Sequence, residues 1–261
     1  MSGENVLIEK EGGLTILTLN RPNEANALTL DLAKEFYEAI CQCSTDPDTR
    51  SVLLTGNGKM FCGGGDLKFF LKHKDNTKEV IAKMTHYIHG GIALMSQMNP
   101  PVVVAVNGTA GGGGLSLAIS GDIVISAKSA KFTLAYTKAA LSPDASATYY
   151  LPRLIGLRRA KELMLTNRVL SADEAYSLGM IDSVVDDSEL MDTALKQARE
   201  FASGPTSAYG SVKKLMISTF SSSLTEQMEK EAYHIAENAS SPDGQEGMTA
   251  FAEKRKPIFK G

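Results

Sequence analysis

The chain has 261 residues, enough for one large domain with a sizeable core, and its 43% hydrophobic and 22% charged residues are ordinary for a soluble globular protein. A net charge of −3 excludes an overall basic field, so nucleic acid is not an expected partner. The three cysteines, Cys41, Cys43 and Cys62, cannot all pair, which favours a reducing compartment. The sequence shows neither a signal peptide nor a run of about 18 apolar residues. We therefore expect no membrane contact and a cytoplasmic protein, or one of an organelle matrix if a transit peptide has been removed.

The first elements predicted along the chain are a hairpin, a helix and a buried strand. Two β-rich runs in VLIEKEGGLTILTLN are joined across Glu11, Gly12 and Gly13. Thr29 precedes the amphipathic run LDLAKEFYEAICQC and is the expected N-cap of that helix. The short apolar run SVLLTGNG is typical of a buried parallel strand. This succession indicates an α/β chain.

The same alternation continues towards the C-terminus. We predict a helix over 78–98, a buried strand in PPVVVAVNG, a helix opening with LSLAISGD (115–122) and two short strands in DIVISAKSAKFTLA. Helices follow over 148–154, 158–165 and 172–179, the last capped by Ser171, with later breaks at Gly204-Pro205 and Ser241-Pro242. The predicted organisation is a mixed core over 1–200 and a helical region over 201–261.

Two glycine-rich turns carry the first chemical signal. FCGGGDL (61–67) and NGTAGGGGLSLA (107–118) each follow a predicted buried strand and lead towards a helix, which leaves backbone N–H groups unpaired and accessible. One such turn alone serves tight packing as often as binding. If the two converge, their N–H groups can hold one carbonyl oxygen and stabilise an enolate. Neither turn fits a Walker A loop or a dinucleotide-binding fingerprint.

These segments resemble the crotonase superfamily, also called the enoyl-CoA hydratase/isomerase family. The similar stretches are LTLNRPNEANALT, FCGGGDL, PPVVVAVNGTAGGGGLSLAISGDIVIS, KELMLTNRVLSADEAYSLGMIDSVV and GMTAFAEKRKPIF, which together cover most of the chain. The resemblance implies a spiral of ββα units with a helical C-terminal trimerisation region, as a homotrimer or a dimer of trimers. It also implies an acyl-CoA thioester substrate and no cofactor beyond the coenzyme A of that substrate.

The resemblance further assigns roles to individual positions. Gly65 and Gly113 match the family's oxyanion-hole glycines. Several positions match contacts to coenzyme A, the basic ones to its phosphates: Arg21, Ala25, Gly63, Asp66, Leu67, Lys254 and Lys256. For the Lys-Arg-Lys run at 254–256, a solvated helix end is an equally good interpretation.

The residues that depart from the family's pattern matter most for the reaction. Where hydratases of the family carry two glutamates, this chain has Ser116 and Tyr136. A serine and a tyrosine of ordinary pKa cannot replace a carboxylate pair that delivers and removes a proton. The sequence therefore argues against simple hydration of a 2-enoyl-CoA.

Asp144 is then the one acid in the matching part of the presumed site, and several interpretations remain open. In the similar phenylacetate-pathway isomerases, an aspartate here is thought to shuttle a proton along the acyl chain. In the similar 4-chlorobenzoyl-CoA dehalogenases it is a nucleophile, with a histidine at the position of His89 as base and an aromatic residue at that of Tyr136. Asp144 could also be a helix N-cap worth about 1 kcal/mol, and the protein could be a catalytically silent acyl-CoA-binding scaffold.

A metal site is not predicted. His86 and His89 lie three residues apart on a predicted helix and share a face, yet no third ligand is evident. Our first hypothesis is an enoyl-CoA isomerase in which Asp144 moves the proton.

Overall fold

The computed structural model describes residues 4–261, and its strands form two sheets. The strands are Val6–Glu11 (β1), Leu14–Leu19 (β2), Ser51–Gly56 (β3), Met60–Cys62 (β4), Val102–Val106 (β5), Thr109–Gly111 (β6), Ile123–Ala127 (β7), Lys131–Thr133 (β8), Leu170–Ser171 (β9) and Ser183–Val185 (β10). The larger sheet has the order β1-β2-β3-β5-β7-β10, and the smaller sheet has the order β4-β6-β8-β9.

Helices surround and follow the sheets. They are Leu30–Thr45 (α1), Leu67–Lys72 (α2), Thr77–Gln97 (α3), Gly113–Ala118 (α4), Ala147–Ile155 (α5), Leu157–Thr166 (α6), Ala172–Ser177 (α7), Leu190–Ala202 (α8), Thr206–Ser218 (α9), Leu224–Ser240 (α10) and Pro242–Ala252 (α11). No helix within residues 4–261 combines the length and the hydropathy needed to cross a membrane.

The predicted hairpin and the predicted buried strands are confirmed. β1 and β2 pair antiparallel, with Val6 opposite Leu19, while β2, β3, β5, β7 and β10 run parallel. Every residue of β3 and β5 is buried, as expected for central parallel strands covered on both faces. The predicted caps also form, because the side chain of Thr29 accepts the N–H of Leu32 and Ser171 forms a capping box with Glu174.

A repeated unit builds the two sheets together. β3, β5 and β7 each add a strand to the larger sheet, and the chain then adds β4, β6 or β8 to the smaller sheet before it enters a helix. β4, β6 and β8 are mutually parallel, so their carboxyl ends meet at one edge. The chain therefore forms the spiral of ββα units that the resemblance implied.

Several details differ from the sequence prediction. A three-residue strand, β4 or β6, stands between each buried strand and its glycine turn. α4 begins at Gly113, two residues before the predicted run, and ends at Ala118. β10 was not predicted, because its three residues are only partly buried and give a weak apolar signal.

α8 packs on the larger sheet through Leu190, Ala194 and Ala198, all buried. The hydroxyl of Ser51 in β3 donates to the carbonyl of Ala198, which joins helix and sheet. Of the residues that the structure describes, none in the three helices that follow, α9 to α11, belongs to this core, and α10 has no buried residue.

Candidate active site

The two glycine turns lie side by side at the carboxyl edge of the smaller sheet. One follows β4 and the other follows β6, and these two strands are parallel neighbours. A Cβ placed on Gly64 would lie 2.6 Å from the carbonyl oxygen of Gly111 and 3.0 Å from the nitrogen of Gly113. Because Gly64 also has a φ of +89°, only glycine fits this contact. The sequence left open whether the two turns converge, and the structure shows that they do.

The N–H groups of Gly65 and Gly113 are available for a ligand. Among residues 4–261 neither N–H has a hydrogen-bond acceptor, whereas the neighbouring N–H groups of Asp66 and Gly112 are bonded to Leu28 and Thr133. Gly113 is also the first residue of α4, whose first N–H groups have no partner within the helix. Two unpaired backbone donors therefore lie where the two turns meet.

A cavity of about 330 Å³ opens beside these donors. Its walls are mostly apolar, and Asp144 is the one acidic residue among the described residues that line it. The lining includes three residues of one face of α3 at helical spacing, together with side chains from α2 and from the loop after β8: Ile81, Met84, Thr85, Leu67, Phe70, Leu134, Leu141 and Ser142. The cavity can therefore hold an apolar group whose polar end reaches the glycine N–H groups.

Asp144, Tyr136 and Ser116 form one hydrogen-bonded chain. The hydroxyl of Tyr136 donates to Oδ1 of Asp144 at 2.6 Å, and Oγ of Ser116 lies 3.1 Å from the same hydroxyl. Since the single proton of Tyr136 goes to the carboxylate, Ser116 is the donor in the second bond. Oδ2 of Asp144 has no hydrogen-bond donor in the described part of the chain. A Cβ on Gly113 would lie 3.7 Å from Oδ1, which places the carboxylate beside the second glycine turn.

Tyr136 is a hydrogen-bond donor and not a base in this arrangement. Burial raises the pKa of Tyr136 well above its ordinary value, and the charge of Asp144 raises it further. The phenol therefore keeps its proton at neutral pH and fixes one oxygen of the carboxylate. The other oxygen stays open for proton transfer.

The interpretation of Asp144 as a helix cap is wrong. α5 begins at Ala147, its N-cap is Ser146, and no side chain caps it. The backbone carbonyl of Asp144 accepts the N–H of Ala147, while its carboxylate faces Tyr136. The two residues after it are left-handed, with φ of 49° at Ala145 and 70° at Ser146. Such non-glycine conformations cost about 1 kcal/mol or more each and cluster at functional sites.

His89 lies on the other side of this turn. Its Nε2 accepts the backbone N–H of Ala145 at 3.1 Å, and it lines a separate cavity with Ser146 and Tyr149. The structure therefore brings His89 to the peptide that follows Asp144, but not into the cavity that Asp144 lines. With Nε2 occupied as an acceptor, a neutral His89 carries its proton on Nδ1.

Arg21 forms an ion pair beside the first glycine turn. Its guanidinium pairs with Asp66 at 3.2 Å and donates to the carbonyl of Ala27, and the two charged side chains are only 18% and 13% exposed. Asp66 in turn accepts the N–H of Phe69 and caps α2. Gly63 donates to the carbonyl of Ala25 at 2.8 Å. Of the positions assigned to coenzyme A, Gly63 and Leu67 line the cavity, while Arg21, Ala25 and Asp66 support it from behind.

The basic run at 254–256 lies after α11, away from these walls. Arg255 pairs with Glu246 and Glu253. Lys254 and Lys256 are exposed, and no carboxylate within the described range forms an ion pair with either. Their contact with coenzyme A stays a prediction.

Three features of the site were not expected from the sequence. Ser116 is a member of the carboxylate network, the turn at 145–146 is left-handed, and Phe70 reaches the first glycine turn, where a Cβ on Gly65 would meet its ring at 2.9 Å. The apolar period of α3 could have indicated the lining helix face, but alanine and serine give no signal for positive φ. Across residues 4–261 no three His, Cys, Asp or Glu side chains form a metal-binding group.

Comparison with known proteins gives this site its family. A sequence model described as enoyl-CoA hydratase/isomerase matches residues 9–261. The chain belongs to the enoyl-CoA hydratase/isomerase family. Among its relatives, 1,2-epoxyphenylacetyl-CoA isomerase of Escherichia coli (strain K12) is 38% identical over 99% of both chains. The 4-chlorobenzoyl coenzyme A dehalogenase-2 of Arthrobacter sp. is 30% identical over 97% of this chain and 92% of its own.

The fold agrees with solved structures of the family. The crystal structure of an enoyl-CoA hydratase from Polaromonas sp. JS666 superposes with a TM-score of 0.93 at 32% identity, covering 98% of this chain and 99% of the other. Relatives in the enoyl-CoA hydratase/isomerase family thus carry isomerase, dehalogenase and hydratase names. The reaction has to be argued from the residues of this site.

Proposed function

We propose that the protein is an enoyl-CoA isomerase that converts a 3-enoyl-CoA into the conjugated 2-enoyl-CoA, with Asp144 as the proton shuttle. One observation carries the proposal. Asp144 is the one carboxylate among the described residues that line the cavity, and it lies beside two glycine turns whose N–H groups have no acceptor. The 38% identity to 1,2-epoxyphenylacetyl-CoA isomerase supports an isomerisation of an acyl-CoA.

The proposed reaction is a shift of one proton. Asp144 removes a proton from C2, and the electron pair of that C–H bond is delocalised over the thioester and the C3=C4 double bond as a dienolate. The N–H groups of Gly65 and Gly113 stabilise the negative charge on the thioester oxygen. Asp144 then returns the proton at C4, and the double bond is left between C2 and C3. The carboxylate ends as it began, so no second acid is needed.

Hydration fits the site less well. Adding water across a double bond requires one group to take a proton from water and another to deliver a proton to carbon. Ser116 and Tyr136 stand where the family's hydratases carry carboxylates, and both donate their protons along the chain that ends at Asp144. We therefore expect little hydration of a 2-enoyl-CoA.

The experiment compares the purified protein with Asp144→Asn on a 3-enoyl-CoA, a 2-enoyl-CoA and 4-chlorobenzoyl-CoA, followed by ultraviolet absorbance and product mass. We expect conversion of the 3-enoyl thioester, and a loss of at least about a hundredfold in kcat for the variant. Asp173→Asn, at an exposed position on α7, is the matched control and should keep full activity.

Other outcomes would overturn the proposal in distinct ways. Isomerisation that persists in Asp144→Asn would remove the shuttle role. Aspartate-dependent release of chloride would indicate a nucleophile and a dehalogenase. No turnover of any of the three thioesters, together with intact binding, would leave an acyl-CoA-binding protein.

We also propose that the C-terminal helices associate with further copies of this chain, as a trimer or a dimer of trimers. α9 to α11 and the loop between α9 and α10 expose large apolar side chains, among them Met216, Phe220, Leu224, Ile235 and Phe251, each at least 61% exposed. Apolar surface of this extent is typical of an association site. Light scattering after size exclusion should give three or six times the 27.9 kDa of the chain. A monomer would contradict the assembly and leave the isomerase proposal intact.

A further inference from the structure

We propose that His89 is a positioning residue that holds the turn after Asp144, and that it does not act as a base. The inference rests on the proposed function, because it concerns how that reaction's carboxylate is kept in place. The resemblance to the dehalogenases suggested the opposite role for His89. The contacts of its ring decide between the two.

The ring contacts the backbone and not the cavity. Nε2 of His89 accepts the N–H of Ala145 at 3.1 Å. Ala145 is fully buried, so without His89 this N–H would lack an acceptor inside the protein. A general base needs a free lone pair within reach of the proton that it removes. The lone pair of Nε2 is occupied, and His89 is absent from the walls of the Asp144 cavity.

The turn needs an external support. Ala145 and Ser146 are both left-handed, and such a pair of non-glycine residues persists only where the surroundings fix it. Inside the turn, the carbonyl of Asp144 accepts the N–H of Ala147, and that of Ser146 accepts those of Tyr149 and Tyr150. These bonds start α5 but leave the N–H of Ala145 without an acceptor. His89, on α3, is the group that accepts this N–H.

Two substitutions separate positioning from base catalysis. In His89→Gln, the amide oxygen lies near the position of Nε2 and can accept the N–H of Ala145, yet it cannot take up a proton near neutral pH. In His89→Leu the acceptor is lost at similar size. We expect His89→Gln to keep kcat within about threefold, and His89→Leu to lose about tenfold in kcat with little change in KM, as the loss of one acceptor for a buried N–H implies.

His86 provides the matched control. It lies one turn earlier on α3, is exposed, and contacts the ring of Tyr87. His86→Gln and His86→Leu should therefore leave kcat and KM unchanged. Equal losses in His89→Gln and His89→Leu would show a chemical role for the imidazole and overturn the inference. Full activity in His89→Leu would overturn it as well.

A second measurement does not depend on turnover. Hydrogen–deuterium exchange of the Ala145 amide, followed by NMR on protein labelled with ¹⁵N-alanine, reports the bond directly. We expect exchange at least about tenfold faster in His89→Leu and near the wild-type rate in His89→Gln and in both His86 variants. Unchanged exchange in His89→Leu would overturn the inference even if the isomerase proposal held. If the wild-type protein showed no isomerisation, the proposed function would fail while the exchange data still tested the bond.

Discussion

Replacing Tyr136 by phenylalanine tests how the carboxylate network supports the proposed reaction. The change removes one hydroxyl and keeps the ring that lines the cavity. The bond that it breaks is 2.6 Å long and joins a phenol to a charged carboxylate. Hydrogen bonds to charged groups contribute about 1.5–3 kcal/mol. If this bond holds Asp144 in the transition state, kcat should fall between about tenfold and about 150-fold.

The structure also indicates that the variant will fold. When the phenol is gone, the hydroxyl of Ser116 can still donate to the carbonyl of Gly112, which lies 3.3 Å away. No buried hydroxyl is therefore left without a partner. Binding of the coenzyme A moiety should not change, because Tyr136 lies at the carboxylate and not among the positions assigned to coenzyme A. The loss should appear in kcat, with KM nearly constant.

The assay is the rise in ultraviolet absorbance as a 3-enoyl-CoA becomes conjugated, measured over a range of substrate concentrations. Ser116→Ala is the matched control, since it removes a neutral hydrogen bond one step further from Asp144 and should cost at most about tenfold. In the Asp144→Asn background, Tyr136→Phe should have almost no further effect. A Tyr136→Phe protein with wild-type kcat would refute the reasoning.

Two further predictions concern buried groups that take no part in the proposed reaction. Lys213, with a side chain only 7% exposed, pairs with Asp122 at 2.7 Å, so Lys213→Met should lower the free energy of unfolding in urea by about 3 kcal/mol. Lys214→Met, on the next and exposed residue, should change it by less than about 0.5 kcal/mol, and equal losses would contradict the role of the pair. Burial raises the pKa of the thiols of Cys43 and Cys62 to about 12, so iodoacetamide at pH 8 should label neither thiol in the native protein and both in urea, as read by peptide mass. Labelling of Cys62 in the native state would refute this.

Local signals in the sequence were sufficient for much of the fold. Thr29 and Ser171 were identified as caps because a hydroxyl before an amphipathic run has few other roles. The apolar runs of β3 and β5 identified central strands because a strand covered on both faces has no polar side. β4 and β6 escaped prediction because a strand of three residues is defined by its neighbour in the sheet and carries no period of its own.

Part of the site was also predictable from local signals in the sequence. The glycine turns are marked in the sequence, and their convergence follows from β4 and β6 being parallel neighbours. The bond between His89 and Ala145 joins residues 56 positions apart and depends on a left-handed alanine, which no sequence pattern announces. For that reason the family resemblance suggested a base where the structure shows a backbone contact.

The directions of the hydrogen bonds among Ser116, Tyr136 and Asp144 indicate which reaction the site can support. Ser116 donates to Tyr136, and Tyr136 donates to Asp144, so two protons are committed to holding one carboxylate oxygen. Neither hydroxyl can then transfer a proton to or from the reactants without breaking the chain, so the site lacks the second proton-transferring group that hydration requires. A carboxylate with one fixed oxygen and one open oxygen can still take a proton and return it. In a fold that is shared with hydratases, Ser116 and Tyr136 in place of the two glutamates therefore favour a proton shift over the addition of water.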